Sequence, residues 1–101
     1  MDQSIQSYLK PELDEASKVL LRAAEYIATR GHCRGAFYGP QGQACVLGAM
    51  SMMVGLGQSA YDDATDRLEE ALGGQWIADW SDATPTAEVL AKLRSVALGG
   101  A

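Results

Sequence analysis

The chain has 101 residues, of which 48% are apolar and 21% charged, with a formal charge of −5. That is the length of one domain with ordinary apolar content, which sets aside wholesale disorder and a chain of several domains. Two Cys and one His exclude a disulfide scaffold and leave too few soft ligands for two zinc sites.

The chain opens on Met-Asp-Gln-Ser, with no basic stretch leading into an apolar one, so no secretory signal is expected. Residues 1–10 are polar and read as a frayed end, with Ile5, Tyr8 and Leu9 at helical spacing. Pro11 suits a first helical position, where its missing N–H costs nothing. From there Leu13, Ala16, Leu20, Ala23, Ala24 and Ile27 recur every three or four residues, and Glu12, Asp14 and Glu15 favour the helix dipole. This predicts a helix over about 11–30, stopped by Gly31.

Residues 31–44 hold Gly31, Gly35, Gly39, Pro40 and Gly42. They read as a Gly-rich loop or mini-hairpin too small for a sheet core. The next run, Cys45–Val54, is apolar on every side and predicts a buried helix at the centre of the fold. Gly48 costs that helix roughly 1 kcal/mol against Ala, which points to close approach of a neighbouring backbone. Met50, Met52 and Met53 belong to this core, or to an adaptable groove.

Ser59 and Asp62 resemble a capping box for a third helix. Its apolar stripe is Tyr61, Ala64, Thr65, Leu68, Ala71 and Leu72, ended by Gly73-Gly74. Here the charge concentrates. Residues 1–50 balance five acids with five bases, whereas residues 51–101 hold eight acids and three bases. Most of that excess is Asp62, Asp63, Asp66, Glu69, Glu70, Asp79 and Asp82. A negative field repels phosphate, so neither nucleic acid nor an anionic membrane is expected as a direct partner.

Residues 75–81 carry Trp76 and Trp80 and read as a helical turn or linker. Thr84 then Pro85 mark a cap and first position for a last helix, with Val89, Leu90, Leu93, Val96 and Ala97 on its apolar face. The expected fold is therefore all-α: one domain over residues 1–101, a bundle of four to five helices. No window of about 20 residues is apolar throughout, so no membrane span is expected. With two reduced thiols the expected place is the cytoplasm.

Three groups of residues bear on chemistry. His32, Cys33 and Cys45 flank the loop. They are three soft ligands where a structural zinc needs four, with Asp79 or Asp82 to complete the set. Cys33 or Cys45 as a nucleophile with Asp79 or Asp82 would make a thiol enzyme; the simpler reading is two buried thiols packed as small hydrophobes. Trp76 and Trp80 are four apart, so they share a helical face and read either as a lid over the core or as interface anchors. Asp62, Asp66 and Glu69 read as a solvated helix face that a basic partner would also fit. The glycines of the loop follow no strand and form no phosphate cradle, so no cofactor is expected.

Four elements carry a family resemblance: Cys33-Arg34-Gly35-Ala36, Cys45-Val46-Leu47-Gly48-Ala49, Trp80-Ser81-Asp82 and Thr86-Ala87-Glu88-Val89. Over residues 18–97 the chain resembles an uncharacterised family of small actinobacterial and actinobacteriophage proteins, the domain of unknown function 6197. It departs from the pattern at His32, where Trp is common, and at Ser81, where Asn is common. The resemblance implies such an origin, with the host cytoplasm as its place if phage-encoded, and implies no activity. The expected function is a small protein-interaction or regulatory protein, acting on a protein partner or a second copy through Trp76, Trp80, Asp62, Asp66 and Glu69. The alternatives are a cysteine-dependent enzyme and a metal-stabilised domain.

Overall fold

The computed structural model describes residues 13–99. The expectations for residues 1–10, and for Pro11 and Glu12 as a helix start, lie outside the described residues. Five α-helices and one 3-10 turn follow: α1 Glu15–Arg30, α2 Val46–Ser51, the 3-10 turn Val54–Leu56, α3 Gln58–Ala71, α4 Ile77–Ala83 and α5 Thr86–Ala97. No strand forms among the described residues. Segment 31–45 holds only isolated bridges, from His32 and from Tyr38 to Ala44. The fold is all-α, and no helix of the described residues is long and apolar enough to cross a membrane.

Asp14 does not sit in the first turn of α1. Its backbone is extended, with ψ 174°, and its side chain caps the helix by accepting the Ser17 N–H at 2.9 Å. Arg67 of α3 donates to the same carboxylate and to Ser17 Oγ, tying the start of α1 to α3. Arg67 first, then the Ser17 amide, hold the Asp14 carboxyl well below its ordinary range. Of the predicted stripe, Ala16, Leu20, Ala23, Ala24 and Ile27 are buried, joined by Val19, while Leu13 precedes the helix and is half-buried. Gly31, at φ +106°, closes the helix with its N–H on the Ile27 carbonyl at 2.8 Å.

The centre of the fold is α1, not the methionine-rich segment. Sixteen residues give α1 a length of about 24 Å. It packs on α2, α3 and α5, and its alanines let those helices come close. By contrast α2 is six residues long. Met52 N–H returns to the Gly48 carbonyl, and the chain tightens into the 3-10 turn. Val46, Gly48, Ala49 and Met50 of α2 are buried, while Met52 beyond its end is exposed and Met53 half-buried.

Two expected caps move. The Ser59–Asp62 box does not form, because α3 starts two residues earlier, at Gln58 after Gly57, which puts Ser59 inside the first turn. The Asp62 carboxylate takes the Gln58 amide at 3.1 Å instead. Ala60, Ala64 and Leu68 are the buried face of α3, while Asp62, Asp63, Asp66 and Glu70 are exposed and Glu69 half-buried. Pro85 occupies the cap position of α5 and Thr86 its first turn. Pro85 is itself extended, with ψ 146°, so the first helical residue is Thr86 and the cap falls one residue after Thr84.

Candidate functional site

The strongest side-chain constellation is centred on His32, just beyond the Gly31 stop. Its Nε2 lies 2.9 Å from Ser81 Oγ of α4, and its Nδ1 lies 3.2 Å from Thr86 Oγ1 of α5. Ser81 is fully buried, and its Oγ also accepts the Val46 N–H at the start of α2, at 3.2 Å. Two neighbouring contacts continue the seam. The Gly35 N–H donates to Asp82 Oδ1 at 3.0 Å, and Arg34 donates to the Thr84 carbonyl at 2.7 Å. One loop is thus tied to α2, α4 and α5 by polar contacts that all converge on residues 81–86. Burial, and then the Arg34 charge, push the His32 pKa below 6.5, with Asp82 opposing.

A serine hydroxyl on a histidine nitrogen, with a third group on the other nitrogen, has the connectivity of a nucleophile, base and orienter. Here the serine is closed to solvent, and one of its lone pairs is occupied by the Val46 amide. What the arrangement does chemically is clasp four segments with neutral hydrogen bonds. Ser81→Ala leaves the Val46 amide and one imidazole nitrogen without partners. It is expected to lower unfolding stability by about 1–3 kcal/mol, measured by denaturant titration, whereas an unchanged midpoint would mean that the clasp contributes nothing.

The sequence candidates separate in space and role. Cys45 is buried at the cap of α2, where its Sγ accepts the Gly48 N–H at 3.4 Å. Cys33 is half-buried with its thiol toward the Arg34 carbonyl at 4.0 Å, and both cysteines are free. Neither thiol has a carboxylate partner among the described hydrogen bonds. Asp79 is exposed in the first turn of α4. Among the described residues no three His, Cys, Asp or Glu side chains gather as a metal site, so His32, Cys33 and Cys45 do not form the ligand set of the metal-stabilised alternative.

The two tryptophans, expected to share a face, separate. Trp80 is buried, 8% exposed, and forms one wall of a shallow groove with Thr84, Glu88 and Lys92. It is therefore core and not an exposed anchor. Trp76 lies just before α4, outside its regular turns, and is 74% exposed. The pair does not share a face because Trp76 is extended at the cap position.

Sequence reasoning missed Phe37 and Tyr38, which are 55% and 48% exposed. Their rings meet edge to face, with centroids 6.4 Å apart. The backbone beneath them is fixed. Phe37 carbonyl accepts the Cys45 N–H at 3.0 Å, and Tyr38 hydroxyl donates to the Gly48 carbonyl at 3.2 Å. That same carbonyl accepts the Met52 N–H at 3.3 Å, so the Met52 backbone shares an acceptor with the Tyr38 hydroxyl, and the Met52 side chain is exposed. The available signal was an aromatic pair between Gly35 and Gly39, absorbed into the reading of 31–44 as a loop or mini-hairpin.

Comparison with curated proteins and with solved structures gives no match. His32 and Ser81, the two departures from the pattern noted in the sequence, touch one another. A family model described as Family of unknown function (DUF6197) matches residues 11–98, and the chain belongs to that family.

Proposed function

We propose that this protein is a small interaction or regulatory module that docks a protein partner, or a second copy of itself, through Phe37, Tyr38 and Met52. The observation that carries the reading is a pair of exposed aromatic rings on a backbone held by hydrogen bonds to α2. Aromatic side chains dominate binding hot spots, and a prepaid conformation lowers the entropy lost on association. Trp76 serves as a further anchor. Asp62 and Asp66 supply a negative field, with half-buried Glu69 beside them, that favours a basic partner surface. The setting is the cytoplasm of a bacterium or of a phage-infected host, a reading supported by the free thiols and the family resemblance.

The test is site-specific photo-crosslinking in an actinobacterial host, with the photoreactive residue at position 37, 52 or 76 and a control at exposed Ala87. A discrete adduct from positions 37 and 52, lost when Met52→Asp is combined with the probe at 37, is the expected result. Mass spectrometry of the adduct tells a second copy from another protein. Adduct yields at 37 and 52 no higher than at 87 would overturn the reading.

A further inference from the structure

We propose that His32 is a proton-operated latch on the 33–38 loop: the neutral ring holds the loop against α4 and α5, and the protonated ring releases it. Its consequence for docking rests on the function proposed above, whereas the latch itself rests on the ring and its neighbours.

A neutral imidazole has one donor and one acceptor nitrogen. The Val46 amide already occupies one lone pair of Ser81 Oγ. The arrangement that leaves fewest groups unmet therefore has the Ser81 hydroxyl donating to Nε2 and Nδ1–H donating to Thr86. A second ring proton turns Nε2 into a donor. The Ser81 hydrogen then loses its acceptor in a fully buried position.

The charged groups acting on the ring are Arg34, from its own loop, and Asp82, from α4. From α5 it meets the neutral Thr86 hydroxyl, and from α2 the Val46 amide reaches it through Ser81. The neighbouring Cys33 thiol turns to the Arg34 carbonyl. Arg34 repels an imidazolium. Asp82 attracts it, but that carboxylate also holds the Gly35 amide. A ring whose folded pKa lies below 6.5 stabilises the closed form fully above that pH, and the contribution is lost as pH falls below it. After Cys33 come Arg34 and Gly35, tied to Thr84 and Asp82, and Phe37 and Tyr38 stand two and three residues beyond Gly35 along the chain.

The experiment is a titration of the nitrogen-15-labelled protein from about pH 7.5 to about pH 5, the range in which a histidine changes charge. It follows the imidazole nitrogen shifts and the amide exchange of Val46 and Gly35, with Leu20 and Ala24 of α1 as references. The expected result is an Nδ1–H tautomer at the upper pH and a ring midpoint below the ordinary histidine value. Exchange at Val46 and Gly35, corrected for intrinsic rate, should rise about fivefold across that midpoint, the loss of one neutral hydrogen bond, while the α1 amides stay protected. In His32→Gln, neutral but able to donate and accept, the rise should vanish.

The same rise in His32→Gln would overturn the latch. So would a wild-type ring that titrates with the Val46 and Gly35 amides unmoved, a result that decides the matter if His32→Gln fails to fold. The crosslinking outcome is independent. A titrating latch without an adduct at position 37 removes the docking reading alone, and an adduct without pH-coupled exchange removes the latch alone.

Discussion

Gly48→Ala is expected to destabilise the protein by about 2 kcal/mol or more, although alanine ordinarily improves a helix over glycine by about 1 kcal/mol. The sign reverses because of what faces the α-carbon. A Cβ on Gly48 would stand 2.3 Å from the Phe37 carbonyl oxygen and 3.1 Å from its carbon. Both are backbone atoms, and neither can swing aside as a side chain would. The Phe37 carbonyl is held by the Cys45 amide at 3.0 Å, and Tyr38 reaches over to the Gly48 carbonyl at 3.2 Å. To admit the methyl group, the 36–38 segment must lift from α2 and give up those bonds. In a domain of this size the thermal midpoint should fall by roughly 10 °C or more. An unchanged or raised midpoint would mean that the loop yields freely. It would also remove the fixed backbone on which the docking surface depends.

The close approach at Gly48 was legible in the sequence, since a glycine inside an apolar helical run needs a reason and a neighbouring backbone is the usual one. The neighbour was not, because Phe37 lies outside the helix and the approach depends on how the loop folds back. The stripe of α1 was legible for a similar reason: Ala16, Leu20, Ala23 and Ile27 record their burial in their spacing. Which helix occupies the centre was not. Apolarity ranked Cys45–Val54 first, but length and small side chains gave that place to α1, and spacing along one segment carries no information on how many others it meets. The caps at Asp14, Gly57 and Pro85 each fall within a few residues of expectation, as local chemistry allows. The clasp was invisible for a different reason. His32 and Ser81 are 49 residues apart, and no local period links a polar pair brought together by the packing of α4 against α2.

The tryptophans give the second large effect. Trp80→Ala should cost about 3–5 kcal/mol, the range for removing a buried large aromatic side chain, and Trp76→Ala should stay within about 0.5 kcal/mol. The contrast follows from exposures of 8% and 74% for the same residue type four positions apart. It also follows from the backbone. Trp76 is extended, and what it gives the helix is its carbonyl, which accepts the Trp80 N–H at 3.0 Å and survives loss of the ring. Denaturant titration measures both costs. Fluorescence locates the rings, because Trp76→Phe leaves Trp80 as the sole indole, which should emit at short wavelength and resist a soluble quencher. Equal costs, or ready quenching of Trp80, would return that ring to the surface and open the core between α4 and α5. A neutral Trp76→Ala frees its ring for another role, since a large apolar side chain that stabilises nothing in its own fold is available to bind something else.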